Sequence, residues 1–553
     1  MAKENFDIVV IGGGVTGTGT ALDAASRGLS VALVEQRDYA SGTSSRSSKL
    51  FHGGLRYLEQ LNFRLVKEAL RERNLMLNRL CPHLASPVSF LYPLQHRIWE
   101  RAYVGSGVLL YDLLAATGNN PLPRHRHLSK SKALRRVPAL RSEALAGAIV
   151  YWDAKVDDAR HTMTLARTAA AHGAVLAPST RVVDLKQAEG RVVGVRVADL
   201  ESGGEFNIKA SRVINTTGVW TDRIEAMAGD TGIDVRASKG IHLVVPRESI
   251  ESDTGMILRT EKSVLFVIPW GRHWIVGTTD TDWKLDLAHP AASRGDIDYL
   301  LDHVNSVLGQ PLTHNDIVGV YAGLRPLLAG ESDATSKLSR EHAVTEPVPG
   351  LISVAGGKYT SYRVMAADAV DAAVRGLEPA VLRSTTDRIP LVGAEGFTEL
   401  WASRHQLVDK SPLAIEDIER MLGRYGSKIV DLFSLISDRP ELAEPMPGAE
   451  GYLAVELLYA VTHEGALHLD DILTRRTRIS IETRDRGVNA AEPTAVLLAE
   501  ALGWDQPTVE REVEHYLARV SAELDSQSQV DDRTADAARL GAPDVRTGLK
   551  KPQ

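Results

Sequence analysis

The chain opens on an apolar run of strand length, Phe6-Asp7-Ile8-Val9-Val10-Ile11, the pattern of a strand buried in a parallel sheet. A glycine-rich turn, Gly12-Gly13-Gly14-Val15-Thr16-Gly17, separates it from a helix, and Val31-Ala32-Leu33-Val34 returns to strand before Glu35. Over residues 64–79, leucines and valines recur at helical spacing until Pro82 and Pro87 break the pattern. Asp157-Asp158-Ala159-Arg160 precedes an alanine-rich helix. The apolar positions of 181–185 and 192–197 then predict a meander, and a strand over 212–215 ends in the small-residue turn Thr216-Thr217-Gly218. Between Lys239 and Asp280 the pattern alternates, as in an antiparallel sheet inserted into the first domain. A helix near 294–308 and a strand near 317–321 follow, and Leu351 to Thr360 repeats the order strand, glycines, helix start. After Gly376 comes a proline-bearing linker, then residues of helical period from about 395 to 522. The tail, 526–553, is polar and proline-containing and is expected to be disordered. No internal repeat is visible.

The residue types of the first turn each answer a mechanical need. Gly12 permits the tight turn, Gly14 lets the backbone approach a pyrophosphate, and Gly17 lets the helix pack closely on the strand. The helix start, with Val15 and Thr16, offers amides and a partial positive charge to phosphates. Glu35 stands at the offset where a carboxylate accepts ribose hydroxyls. Together these predict a bound ADP moiety. The hydroxyl-rich loop with Thr43, Ser44, Ser45, Ser48 and Lys49, followed by Gly53 and Gly54, suits a backbone lying against a ligand. Gly218, ending a strand that can bring backbone beside a dinucleotide's second half, and Gly357, Lys358, Tyr359 and Thr360, where the chain returns to a nucleotide site, extend the expected cofactor-binding set, which also takes Val182.

Bulk properties narrow the classes. At 553 residues, two or three domains are expected. The net charge of −7 gives no argument for a nucleic-acid partner. One cysteine, Cys81, excludes an intrachain disulfide and fits a reducing compartment. The chain enters its first strand within six residues, with no visible secretory signal, and no window of membrane-spanning apolar length occurs. Residues 97–116 mix basic residues, aromatics and leucines, and Arg124, His125, Arg126, His127, Lys130, Lys132, Arg135 and Arg136 follow. This segment fits either a helix lying in a lipid interface or a core-packed helix with a solvated basic loop. His463 and His468 are five residues apart and so do not share a helix face, and no metal site is expected.

The N-terminal fingerprint, the Thr43–Lys49 loop running into His52-Gly53-Gly54-Leu55-Arg56-Tyr57-Leu58-Glu59, and Gly356-Gly357-Lys358-Tyr359-Thr360-Ser361-Tyr362-Arg363 form a specific combination. With Lys239-Gly240-Ile241-His242, Gly277-Thr278-Thr279-Asp280 and Gly323-Leu324-Arg325-Pro326-Leu327, it resembles the FAD-dependent, respiratory glycerol-3-phosphate dehydrogenases over roughly residues 5–525. The resemblance implies an α/β, glycine-oxidase-like flavoprotein. Its Rossmann-like FAD-binding domain would take residues 1–90, 150–235 and 345–376. An inserted antiparallel-sheet domain, substrate-binding and membrane-facing, would take 91–149 and 236–344, and an all-helical C-terminal cap 395–525.

It further implies oxidation of sn-glycerol 3-phosphate to dihydroxyacetone phosphate, with hydride passing to flavin N5 and electrons to the quinone pool. The location implied is cytoplasmic, peripheral on the inner face of the cell membrane, with a homodimer left open. Arg56, Tyr57, Arg325 and Arg340 carry over as substrate-pocket positions, and arginine's planar fork suits a dianionic phosphate. His242 is the candidate base, with Lys358 and Arg325 as cations that stabilise developing charge or contact the substrate. The stretch 93–136 is less uniformly basic and apolar than a dedicated anchor, which bears on the strength of attachment. The alternatives are an oxidase of the same substrate using O2, a flavin amino-acid oxidase, and a module that holds FAD without turnover.

Overall fold

The protein is described from a computed structural model covering residues 1, 4–116, 119–143, 145–229, 232–260, 264–329, 341–542 and 544–547. Two sheets organise it. In the first, strands lie in the order His342–Val348, Leu351–Gly356, Glu205–Asn215, β1 (Asn5–Ile11), β2 (Val31–Val34) and Val175–Ala177. All neighbours in this order run parallel except His342–Val348, which joins as an antiparallel edge. The apolar run of β1 is central and fully buried, as a strand covered on both faces must be.

Two chain segments meet at the end of β1. Strand Glu205–Asn215 pairs with it in parallel, Ile11 against Asn215, so the next residue reaches the glycine turn. There Thr216 donates from its amide (3.0 Å) and its hydroxyl (2.7 Å) to Ile11 O. Helix α1 (Val15–Ser26) then lies so close that a Cβ at Gly17 would stand 1.8 Å from Gly12 O. Gly12 itself has φ +107°, a conformation that favours glycine.

The second sheet is antiparallel save for one parallel pair between Ala85–Leu94 and Gly255–Arg259. Its long strand Val235–Pro246 pairs with His273–Gly277 on one side and Gly319–Leu328 on the other, opposing His242 to Gly277 and Tyr321, and Ser238 to Arg325. The sheet draws on more of the chain than expected. Leu50–Phe51, Ala85–Leu94 and Gly147–Val156 all pair within it, although residues 1–90 and 150–156 were assigned to the nucleotide domain. Their apolar runs resemble those of the first sheet, and only the pairing register separates the two.

Residues 397–528 are helical apart from a short hairpin, Pro445–Met446 with Ala449–Leu453, and bury their own apolar core. The tail departs from the expectation of disorder. Helix Gln506–Ser528 runs through the predicted boundary, and a further helix, Asp532–Arg539, packs back onto the second sheet. Asp532 pairs with the buried Lys239, which also holds Asp296 at 2.5 Å. Arg546 reaches Asp471 (2.9 Å) and Ser179 Oγ (2.7 Å). Polar composition suggested disorder because the partners that satisfy these charges lie far along the chain, 75 residues away for Arg546 and 293 for Asp532.

The contact at Gly17 is testable. Gly17→Ala forces α1 away from β1 and lowers stability by about 1–3 kcal/mol, the usual penalty of overpacking. Thermal unfolding and cofactor content measure this, and a variant indistinguishable from wild type in both would show that the close approach is dispensable.

Candidate active site

A cavity of about 1110 Å³ runs between the two sheets. This exceeds the roughly 300–1,000 Å³ of ordinary small-molecule sites, as an elongated ligand plus a substrate requires. At one end it is lined by Gly12, Gly14, Val15, Thr16 and Glu35. The N-cap of α1 is Gly14, with no acid in the first turn; Ser44 Oγ accepts from Val15 N at 2.9 Å, and the helix start directs its positive potential at the cavity. Glu35 is held by accepting from Gly13 N (2.7 Å) and Arg37 N (2.8 Å), and burial raises its pKa. Thr43, Ser44, Ser48, Gly54, Val182, Gly218, Gly357, Lys358, Tyr359 and Thr360 line the same cavity further along.

Four expected cofactor residues stand behind the wall instead. Gly17 serves the strand–helix contact. The Ser45 carbonyl accepts from Lys49 Nζ (3.1 Å), and Lys49 is fully buried, ion-paired to Asp158 at 2.7 Å. It braces the loop from below rather than pointing into the cavity. Gly53 donates its amide to Tyr111 Oη (2.8 Å), and its carbonyl accepts from Lys358 Nζ (3.3 Å).

The far end gathers the expected chemistry. His242 is buried, stacks on Tyr321 with ring centroids 4.7 Å apart, and has its Nε2 2.9 Å from Ser48 Oγ. Its pKa lies well below the ordinary imidazole value, because burial disfavours the cation and Arg325 and Lys49 oppose a third charge. A neutral imidazole at neutral pH can accept a proton. Arg325 donates from Nη2 to Thr278 Oγ1 (3.0 Å) and to the Thr279 carbonyl (3.1 Å), with Asp280 3.7 Å from Nη1. Gly240 makes room for it, since a Cβ there would meet the guanidinium at 2.5 Å. Lys358 Nζ lies 3.7 Å from the Tyr57 ring centroid, over Gly54. Arg56 opens a short helix, Arg56–Glu59, and its side chain, like Arg340, lies outside the described residues.

Sequence reasoning assigned no site role to the cavity arginines Arg37, Arg46, Arg181, Arg223 and Arg259. Arg37 and Arg46 line the wall near Glu35, each directed toward Ala288 O (3.2 and 3.5 Å). Burial, reinforced by Arg37 and Arg539, pushes Arg46 down to about 9. Their positions, just past Glu35 and inside the hydroxyl loop, were the available signal.

Comparison with known proteins defines the class first. Residues 7–367 match the family model of FAD dependent oxidoreductases, and residues 384–509 match the C-terminal domain of alpha-glycerophosphate oxidase. The chain is 57% identical to a glycerol-3-phosphate dehydrogenase of Mycobacterium leprae, over 100% of its own length and 94% of that protein's. It is 36% identical to the human mitochondrial glycerol-3-phosphate dehydrogenase, over 92% of this chain and 72% of that one. The crystal structure of a Bacillus halodurans glycerol-3-phosphate dehydrogenase complexed with FAD superposes with a TM-score of 0.77 at 29% identity, covering 94% of this chain and 95% of that chain. The protein belongs to the family of FAD-dependent glycerol-3-phosphate dehydrogenases. Its cavity fits that cofactor. The acid-free start of α1 suits the pyrophosphate and the half-buried Glu35 the ribose, and Gly14 lacks a Cβ that would stand 3.2 Å from Ser44 Oγ.

The electrostatics of His242 give a measurable sign. The folded state keeps the ring neutral while the unfolded chain protonates near about 6.5, so this group removes stability as pH falls below about 6.5 and contributes nothing above it. The His242 ring resonances are expected to show no titration between about pH 6 and 8; a midpoint inside that window would refute the shielded, neutral imidazole.

Proposed function

We propose that the protein oxidises sn-glycerol 3-phosphate to dihydroxyacetone phosphate and passes the electrons to a quinone at the cytoplasmic face of a membrane. The observation that carries the reading is the placement of a neutral, buried His242 beside Arg325, in the cavity whose other end is a phosphate-binding turn. Bound FAD supplies the two-electron acceptor for the hydride. His242 takes the hydroxyl proton on an unprotonated ring nitrogen, with Ser48 and Tyr321 holding the ring in place. Arg325 and Tyr57, with Arg56 and Arg340 as the family resemblance implies, hold the dianionic phosphate. Lys358, over Gly54, supplies positive charge where negative charge grows during transfer.

The acceptor reading draws on the cavity's outer end and the surface beside it. Leu55, Leu58, Leu61, Phe63, Val104 and Leu110 line that end, an apolar path suited to a quinone ring. Next to it, helix Trp99–Ala116 exposes Trp99, Tyr103, Leu109 and Leu113, with Ile98 82% and Leu61 72% exposed. The neighbouring segment exposes Arg124, Arg126, Lys130, Lys132 and Arg135. Among the described residues no helix is long and apolar enough to cross a membrane, so attachment by this face would be peripheral.

Anaerobic addition of sn-glycerol 3-phosphate should bleach the flavin, and a flavin left oxidised would sink the activity. Reoxidation by a soluble quinone should outpace reoxidation by air; peroxide released in proportion to substrate would instead favour the oxidase. His242→Ala should slow bleaching by about 10²–10⁴-fold, the span of a general base, and an unchanged rate across pH would move the base elsewhere.

For the surface, co-flotation with vesicles containing anionic lipid should be lost on replacing Trp99, Leu109 and Leu113 by serine. It should also weaken with salt, each basic residue contributing about 1 kcal/mol. Retention of the triple variant on vesicles would reject this face as the contact.

A further inference from the structure

The helical C-terminal domain has no part in the chemistry above, yet one of its turns meets both ends of the cofactor site. Within Leu473-Thr474-Arg475-Arg476-Thr477-Arg478, three arginines are buried against the nucleotide domain. Arg475 Nε (2.6 Å) and both terminal nitrogens of Arg476 (2.7 Å each) donate to the fully buried Asp38. Asp38 stands between Arg37, whose amide holds Glu35, and Ala40, whose amide donates to Gly13 O at 3.0 Å. At the other end Arg478 bridges Asp157 and Asp158, and its Nη1 donates to Ser45 O at 3.3 Å. Asp158 in turn accepts from Ser47 N (2.9 Å), Ser47 Oγ (2.7 Å) and Lys49 Nζ (2.7 Å). Ser48, between those two, is the residue against His242.

A planar guanidinium bridging two carboxylates and a carbonyl fixes direction as well as distance, which a lysine cannot do. Buried ion pairs of this kind contribute little net stability against apolar replacements, and conformational specificity is one use that retains them. The segments they hold, 35–41 and 43–49, are connections whose backbones must lie along a ligand, where a misplacement of about 1 Å costs about a hundredfold in rate. Of these two segments only Tyr39 joins an apolar core, and the hydroxyl loop contributes no residue to one.

We infer that Arg475, Arg476 and Arg478 are positioning residues of the flavin site. Arg475 and Arg476 preset the ribose-end segment through Asp38. Arg478 presets the hydroxyl loop through Asp158, and through Ser48 it fixes the orientation of His242. The cofactor half of this inference rests on the family alone; the His242 half rests also on the proposed function.

The test uses the full-length protein and Arg478→Lys, which keeps the charge and loses the fork. Leu498→Ala serves as a control that opens a gap in the helical core while removing none of the turn's hydrogen bonds. In Arg478→Lys, the dissociation constant for FAD, titrated onto deflavinated protein by flavin fluorescence, should rise at least about tenfold, and amide exchange across residues 41–49 should speed up. The rate of flavin reduction should fall with an altered pH profile, while KM for glycerol 3-phosphate changes little. Leu498→Ala should lower the melting temperature and leave these readouts unchanged. Native FAD affinity and native exchange in Arg478→Lys overturn the inference. So does a control that reproduces the same losses, since the turn would then act only through stability. A wild-type protein that binds FAD and ignores glycerol 3-phosphate defeats the proposed function, and the affinity and exchange readouts still judge the turn.

Discussion

Asp158 is the point on which the active-site wall depends. Its side chain is fully buried, and burying a carboxylate without partners is costly enough that a fold must surround it with donors. It receives Ser47 and Lys49 from the hydroxyl loop, Arg478 from the helical domain and the amide of Ala159 from its own helix. Its main-chain oxygen accepts from Tyr359, beside Lys358 on the opposite wall. One residue thus joins the cofactor loop, the late glycine turn and the C-terminal domain. The loop's exact path follows from satisfying that one charge.

A second constraint acts through the antiparallel sheet. Register places His242 opposite Tyr321 and Gly277, where the missing side chain leaves room for the ring. The same register brings Arg325 across from Ser238, two strand positions from Gly240, so the arginine and the histidine share one face. Burial and the nearby cations then keep the imidazole neutral, the form a base needs. Strand pairing, which carries no chemistry itself, sets both the geometry and the protonation state.

Local signals were read well where the physics is local. The roles of Gly12, Gly14 and Gly17 follow from what a tight strand–turn–helix requires, and the structure shows the backbone conformation and close contact at Gly12 and Gly17. Lys49 shows where such reading stops. A lysine ending a hydroxyl-rich ligand loop looks like a ligand contact, and only the arrival of Asp158, more than a hundred residues later, turns it inward. Arg37 and Arg46 were passed over although one lies just past Glu35 and the other inside the hydroxyl loop, because only the closed cavity shows which side chains of those segments face it.

The sequence by itself determined the nucleotide-binding unit, the order of α/β, inserted sheet and helical domain, and the family with its FAD cofactor. The nucleotide unit and the order of domains rest on short-range periodicity and on a motif whose spacing is fixed by backbone geometry. The family and its cofactor rest on the resemblance carried by the combined motifs. The tertiary structure alone decided which sheet the strands Leu50–Phe51, Ala85–Leu94 and Gly147–Val156 join, that the polar tail folds back as helix Asp532–Arg539, and that the helical domain braces the cofactor loop through three arginines. Each of these depends on pairing a strand edge or a buried charge with a partner far along the chain. The need for such a partner is written locally, but its identity is fixed only when the chain closes on itself.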